Sequence, residues 1–184
     1  MNTYIAFLRG INVGGKNKIK MDDLKSALES IGLCSVKTYI QSGNIIFSSP
    51  ESEDMLIKLI KSEIKEKFDI NTSVVIRTLF ELEQIISNCP FSQEQIAASQ
   101  EANSEGESFY VALLPSAPSD EKIDALNKYK NDNDNFNIIN RDIYMLLRQS
   151  IRTSKLADKI LKLDSSVTVR NFNTIKKIIE IAKS

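Results

Sequence analysis

The sequence contains no histidine and only two cysteines, Cys34 and Cys89. Without histidine it lacks the side chain that most often acts as a general base near neutral pH or as a nitrogen ligand for zinc. The two cysteines do not have the spacing of metal ligands or of a disulfide framework. The acidic residues are scattered along helical patterns. We therefore predict neither a metal site nor a cofactor.

The sequence also lacks an excess of charge of one sign and long apolar runs. Lys and Arg total 24, as do Asp and Glu, so the formal net charge is zero. No overall field would attract nucleic acid or an anionic membrane, and nucleic acid is an unfavoured partner. No segment approaches the roughly 20 apolar residues of a membrane span, and residues 1–9 lack the apolar region of a signal peptide. The sequence predicts a cytoplasmic protein that does not bind membranes.

An internal repeat is the strongest feature that is present. Apolar runs typical of strands and apolar residues at helical spacing follow one another in the order β-α-β-β-α-β-α, twice. Near the end of each unit, R-T-L at 77–79 corresponds to R-N-F at 170–172. We predict an α+β protein, a tandem duplication of a ferredoxin-like β-α-β-β-α-β unit, each with an extra C-terminal helix. The predicted boundaries are 1–88 for the first unit, 89–107 for a linker and 108–184 for the second unit.

Local patterns predict where several elements begin and end. The first helix should begin near Met21, and residues 41–44 (Q-S-G-N) are typical of a hairpin turn. Thr78 and Glu81 have the spacing of a capping box. The linker should contain one helical turn at 93–98, and a second long helix should cover 156–161. Residues 131–135 resemble a calcium loop in composition, but Phe136 replaces the required glycine, so we predict a turn.

The loop after the first strand resembles a phosphate-binding loop. Residues 10–16 fit G-x-x-x-x-G-K, but Asn17 stands where nucleotide hydrolases need a hydroxyl side chain. The helix begins several residues too late, and aspartates at 22–23 would oppose an anion at its N-terminus. The antiparallel sheet implied by the repeat also differs from the parallel sheets of those enzymes. We therefore do not expect nucleotide hydrolysis.

Weaker anion binding by the same loop is a separate hypothesis. Gly14 and Gly15 permit backbone conformations closed to other residues, so their N–H groups can approach a ligand. Arg9, Lys16 and Lys18 surround them, and no acidic residue occurs before position 22. A small anion or a phosphate group would suit such a loop. The alternative is a solvated, flexible loop whose lysines maintain solubility.

The second candidate is the segment 170–174 (R-N-F-N-T), at the start of the last predicted helix. Asn171 is a natural N-cap, and the first turn of this helix contains no acidic residue. A helix N-terminus beside an arginine is suited to an anion. Ordinary capping, with Phe172 as a core residue, is the alternative.

Three segments together resemble a bacterial family, domain-of-unknown-function family 1697. They are residues 8–17 (L-R-G-I-N-V-G-G-K-N), 38–44 (T-Y-I-Q-S-G-N) and 168–174 (T-V-R-N-F-N-T). The family often has tryptophan where this chain has Phe172. The resemblance spans essentially the whole chain and implies a small bacterial protein with a duplicated ferredoxin-like fold. It implies no activity, cofactor or catalytic residue.

The leading hypothesis is that the loop at 10–20 binds a small anionic, phosphorylated or nucleotide-like ligand. The predicted binding residues are Arg9, Asn12, Gly14, Gly15, Lys16, Lys18, Gln41, Asn44, Arg170, Asn171, Asn173 and Thr174. One alternative is a protein interaction or assembly module without catalysis, such as a homodimer. Another is a transferase that acts on a phosphorylated substrate, for which the sequence identifies no catalytic residue.

Overall fold

Two four-stranded antiparallel sheets and seven helices make up the computed structural model, which describes residues 1–184. The chain divides into two compact units, one formed by Met1–Gln84 with Lys177–Ser184 and the other by Ile85–Lys176. The predicted α+β class is confirmed, and the two similar sheets indicate a duplicated unit. None of the helices is both long enough and apolar enough to cross a lipid bilayer.

The first half of the chain supplies one sheet and the helices around it. Its elements are β1 (Asn2–Leu8), α1 (Met21–Ser30), β2 (Cys34–Tyr39), β3 (Asn44–Ser49), α2 (Glu53–Phe68), β4 (Val74–Thr78) and α3 (Leu79–Ser87). The strand order is β2-β3-β1-β4, and every neighbouring pair is antiparallel. The helix predicted from Met21 and the predicted hairpin are both confirmed, the hairpin turn lying between Tyr39 and Asn44.

The second half repeats this arrangement after one additional helix. Its elements are α4 (Gln93–Ala102), β5 (Phe109–Leu113), α5 (Asp120–Asn127), β6 (Asp134–Ile139), β7 (Asp142–Leu147), α6 (Lys155–Leu161), β8 (Thr168–Asn171) and α7 (Phe172–Lys183). The strand order is β6-β7-β5-β8. The register also repeats, because Tyr4 lies opposite Thr78 in the first sheet and Tyr110 lies opposite Asn171 in the second.

Each core follows from the apolar spacing of its helices. In the first unit, Leu24 and Leu28 of α1 lie one helical turn apart and are fully buried in one cluster. Leu56, Ile60 and Ile64 of α2 recur every four residues and belong to the same cluster. Every second residue of β1 from Tyr4 to Leu8 faces it, as the alternation of side chains along a strand requires. The helices therefore pack on one face of the sheet.

Two helices differ in length from the sequence predictions. Helix α4 runs for 10 residues instead of one turn, because Ser92 and Gln95 form a capping box that fixes its first turn. Helix α6 (Lys155–Leu161) covers the predicted positions 156–161, but with 7 residues it is not a long helix. The loop formed by residues 148–154 precedes it, and Lys162 ends it. The capping box predicted at Thr78 and Glu81 is confirmed by reciprocal hydrogen bonds of 2.8 and 3.2 Å.

A buried carboxylate organises one end of the second sheet. Asp134, the first residue of β6, is only 2% exposed. It accepts hydrogen bonds from Gln149 Nε2 at 2.8 and 2.9 Å and from Ser154 Oγ at 2.8 Å. Ser154 also caps α6 by accepting a hydrogen bond from Ala157 N. The predicted turn thus covers residues 131–133, whereas Asp134 and Asn135 already belong to β6. Asp134 joins β6 to the start of α6.

Tyr144 makes the second unit sensitive to high pH. Its side chain is 1% exposed and donates a hydrogen bond of 3.0 Å to Ile85 O. Burial, assisted by the charge of Asp142, raises the pKa of Tyr144 above its ordinary value. The unfolded chain therefore releases this proton first, so the stabilisation is complete below about pH 10 and is lost as the pH rises further.

We expect Tyr144→Phe to flatten the loss of stability above about pH 10 and to lower stability at pH 7 by about 1 kcal/mol. Urea unfolding at a series of pH values measures both effects. Tyr129→Phe, at a tyrosine that is only partly buried, is the control. An unchanged alkaline slope in Tyr144→Phe would show that other groups cause it.

Candidate functional site

The glycine-rich loop at 10–20 is a folded segment that connects β1 to α1. Five of its residues have positive φ values, and all five are glycine or asparagine: Gly10, Asn12, Gly14, Gly15 and Asn17. Lys16 N donates a hydrogen bond of 3.1 Å to Val13 O, which closes a tight turn around the glycines. Glycine and asparagine adopt such left-handed conformations more readily than other residues do. Lys16 does not lie at a helix N-terminus, unlike the lysine of a nucleotide-hydrolase loop.

Asn12 holds the loop against the neighbouring hairpin. Its Oδ1 accepts a hydrogen bond of 2.9 Å from Ile19 N, and its Nδ2 donates to Ile19 O and to Gln41 O, each at 3.0 Å. Asn17 Nδ2 donates a further hydrogen bond of 2.9 Å to Gly10 O. The Asn12 side chain therefore fixes the loop to itself and to the turn between β2 and β3.

A cleft of about 800 Å³ lies beside the loop in the first unit. Its lining residues are Asn12, Gly15, Lys18, Ile19, Lys20, Met21, Asp22, Asp23, Gln41 and Phe68. Four of the predicted binding residues are thus brought together, from two segments about 25 residues apart in the chain. Two lysines and two aspartates face the same space, so the cleft has groups of both signs.

The other predicted residues of the first unit do not line this cleft. Arg9 is half-buried at the end of β1, where its backbone is bonded to Ser73 O and to Thr72 Oγ1. Gly14 and Lys16, on either side of Gly15, are exposed but do not line the cleft. Asn44 is fully buried, and its Nδ2 donates to Tyr39 O and Ser42 Oγ, both at 3.0 Å. Asn44 therefore closes the hairpin turn.

The apolar side of the cleft was not identified from the sequence. Met21 begins α1 and Phe68 ends α2, and both residues are half-buried. Phe68 fits the apolar spacing of α2, and this pattern indicates a core residue alone. No signal in the sequence separates a core phenylalanine from one that also faces a cleft.

The second motif, at 170–174, forms the junction between β8 and α7. Asn171 Oδ1 accepts a hydrogen bond of 2.7 Å from Thr174 N, as expected for an N-cap. Arg170 donates hydrogen bonds to Thr168 Oγ1 at 2.8 Å and to Val169 O at 2.9 Å. Its side chain is partly accessible, yet burial of the guanidinium lowers the pKa of Arg170 to about 10. Arg170 and Asn171 thus have structural roles at this junction.

Asn173 and Thr174 differ in how much they are exposed. Thr174 is half-buried, whereas Asn173 is exposed. Asn173 Nδ2 donates to Glu107 Oε2 at 3.3 Å, within the second unit. Of the motif 170–174, Asn173 is the predicted binding residue with the most accessible side chain.

These observations define the class of protein: an α+β chain with a duplicated unit and a folded glycine-rich loop beside a cleft. The chain belongs to the family described as a protein of unknown function, DUF1697, which matches residues 1–144. This confirms the family indicated by the motifs, although the motif at 168–174 lies beyond the matched residues.

A solved structure has the same fold. It is that of a conserved bacterial protein, SP0830, from Streptococcus pneumoniae, with a TM-score of 0.75 over 98% of each chain. The two sequences are 23% identical, so the likeness concerns the fold alone. No curated protein matches the sequence.

Proposed function

We propose that the cleft beside the loop at 10–20 binds a small anionic ligand of the phosphorylated or nucleotide-like class. One observation carries the proposal. Asn12, Gly15 and Lys18 of a prefolded loop lie in one cleft of about 800 Å³ with Gln41 of a separate hairpin turn. Binding sites are typically concave, preformed and lined by a few convergent polar groups beside apolar surface.

The lining residues suit three parts of such a ligand. Lys18 would pair with the anionic group, and the exposed backbone at Gly15 can be approached closely because glycine has no side chain. Met21 and Phe68 offer apolar surface for a ring. The carboxylates of Asp22 and Asp23 would repel the anion, but they accept hydrogen bonds from sugar hydroxyls. A nucleotide or a sugar phosphate with an apolar substituent has all three parts, namely the anionic group, the apolar ring and the sugar hydroxyls.

We also infer that each unit is ferredoxin-like. The strand orders β2-β3-β1-β4 and β6-β7-β5-β8 support this, because they place the first and third strands of each β-α-β-β-α-β unit at the centre of an antiparallel sheet. This proposal keeps residues 1–88 as the first ferredoxin-like unit, 89–107 as the linker and 108–184 as the second unit. The loop at 10–20 would then emerge from a central strand of its sheet.

Thermal unfolding with a panel of nucleotides and sugar phosphates tests the binding proposal. A ligand that binds only the folded protein stabilises it by about 2.7 kcal/mol at a free concentration of about 100 times its Kd. We expect one phosphorylated compound to raise the Tm and Lys18→Gln to remove most of that rise. Lys16→Gln removes the same charge from an exposed position outside the cleft, so it is the matched control.

Two outcomes would argue against binding in this cleft. If no compound in the panel raises the Tm, the class of ligand is wrong. If a compound does so but Lys18→Gln and Lys16→Gln weaken the effect equally, the loop acts through general charge and the cleft is not the site.

A further inference from the structure

A second, smaller cleft lies in the second unit, between α4 and the start of α7. We call it the α4 cleft. It has a volume of about 370 Å³ and is lined by Gln93, Ile96, Ala97, Gln100, Glu107, Ser108, Phe109, Phe172, Asn173 and Lys176. The α4 residues lie at positions i, i+3, i+4 and i+7, so they form one face of that helix. This cleft does not include any residue of the loop at 10–20.

The floor of the α4 cleft is aromatic. The rings of Phe109 and Phe172 stack with their centroids 4.2 Å apart and an angle of 25° between their planes. Ile96 adds aliphatic surface from α4. An apolar, planar group would find complementary surface here, because aromatic rings pack favourably in offset or edge-to-face contacts.

A buried hydroxyl in the lining has no partner within the protein. Ser108 is 1% exposed, and its Oγ makes no hydrogen bond. The backbone groups of Ser108 do have partners, since Ser108 N donates to Gln100 Oε1 and Ser108 O accepts from Leu147 N. Buried polar groups are nearly always hydrogen-bonded, so this unpaired hydroxyl in the cleft wall is available to hydrogen-bond to a bound molecule.

Charges of opposite sign stand at the edge of the α4 cleft. Lys176 Nζ lies 5.0 Å from the centroid of the Phe172 ring and forms no ion pair. Glu107 is half-buried, and its carboxylate accepts only the long hydrogen bonds from Asn173 at 3.3 and 3.5 Å. The first turn of α7 contains no acidic residue, so its positive end adds to the field of Lys176. The cleft therefore offers one site for an anion and one for a cation beside an aromatic floor.

We propose that the α4 cleft binds a small aromatic zwitterion of the amino-acid class. Lys176 would pair with the carboxylate, Glu107 with the ammonium group, and the aromatic ring would lie against Phe109, Phe172 and Ile96. The Ser108 hydroxyl would hydrogen-bond to the polar arm of the ligand. A volume of about 370 Å³ is at the small end of the range for ligand pockets and suits one ring with a short polar arm.

Isothermal titration calorimetry of the full chain with L-phenylalanine, L-tyrosine and L-tryptophan tests this proposal. We expect saturable binding of at least one of them, and binding at least about tenfold weaker for phenylacetate and phenethylamine, which each lack one charge. Lys176→Gln and Glu107→Gln should each weaken binding of the amino acid by about tenfold or more. Lys177→Gln is the control, since that lysine pairs with Glu180 at 2.7 Å and does not line the cleft.

Ala97→Trp provides an independent test, because Ala97 is exposed and its replacement would fill the α4 cleft from its open side. We expect this variant to keep its circular dichroism spectrum and to lose binding. Absence of saturable binding of all three amino acids would overturn the proposal. Binding that neither Lys176→Gln nor Ala97→Trp alters, or phenylacetate binding as tight as that of phenylalanine, would overturn it as well.

Discussion

Replacing Gly43 with alanine is expected to destabilise the first unit by about 2 to 5 kcal/mol. Gly43 lies in the β2–β3 turn with a φ of +75°, a conformation that costs an L-residue energy. An added Cβ would also lie 2.8 Å from Leu8 Cβ, a distance that requires a shift of the backbone. Leu8 is fully buried, and its N–H donates to Gly43 O at 2.8 Å, so β1 and the turn cannot separate easily.

Gly32→Ala is the control that separates the two causes. Gly32 has a φ of +90°, but no atom lies within 4 Å of the position of its Cβ. This substitution should therefore cost only the conformational term, about 1 to 2 kcal/mol. Urea unfolding of both variants gives the comparison. Equal losses of stability would show that the Leu8 contact contributes nothing.

Asp134→Ala should destabilise the second unit by about 2 to 4 kcal/mol, because it leaves the buried Ser154 hydroxyl and the half-buried Gln149 amide without their acceptor. Gln149 Nε2 and Ser154 Oγ both donate to this carboxylate at distances of 2.8 to 2.9 Å. Ser154 would still cap α6, but the loop before that helix would lose its anchor on β6. Chemical unfolding monitored by circular dichroism measures the loss.

Asp132→Ala is the matched control for Asp134→Ala, since Asp132 is an exposed aspartate in the turn just before β6. Its replacement should change stability by no more than about 0.5 kcal/mol, as is usual for a surface position. If the two variants unfold alike, the buried carboxylate is not the anchor of α6. A larger loss for Asp132→Ala would contradict the assignment outright.

The duplicated architecture could be predicted because it depends on local patterns that the chain repeats. Strand and helix periods recur in the same order, and the R-T-L and R-N-F segments mark the same junction in each half. The sheet register then places Thr78 and Asn171 opposite equivalent tyrosines of β1 and β5. Helix α4 was underestimated, although Ser92 and Gln95 have the capping-box spacing that would have predicted its start.

The candidate site could be predicted only in part, since a cleft depends on contacts between distant segments. The loop at 10–20 was identified from its glycines and lysines. Its contact with Gln41 depends on the hydrogen bond from Asn12 Nδ2 to Gln41 O, which no sequence pattern indicates. The sequence likewise could not show that Asn44 turns inward to close the hairpin. Phe68 was missed because core and cleft phenylalanines have the same helical spacing.

Amide chemical shifts during a titration test most directly whether the cleft beside the loop at 10–20 is a ligand site. The experiment adds the compound that most raises the Tm to ¹⁵N-labelled protein. We predict that the largest saturable shifts fall on residues 12–23 and Gln41, and that Lys18→Gln reduces them while Lys16→Gln does not. Shifts confined to other parts of the chain, or small shifts spread over all exposed lysines, would contradict the account.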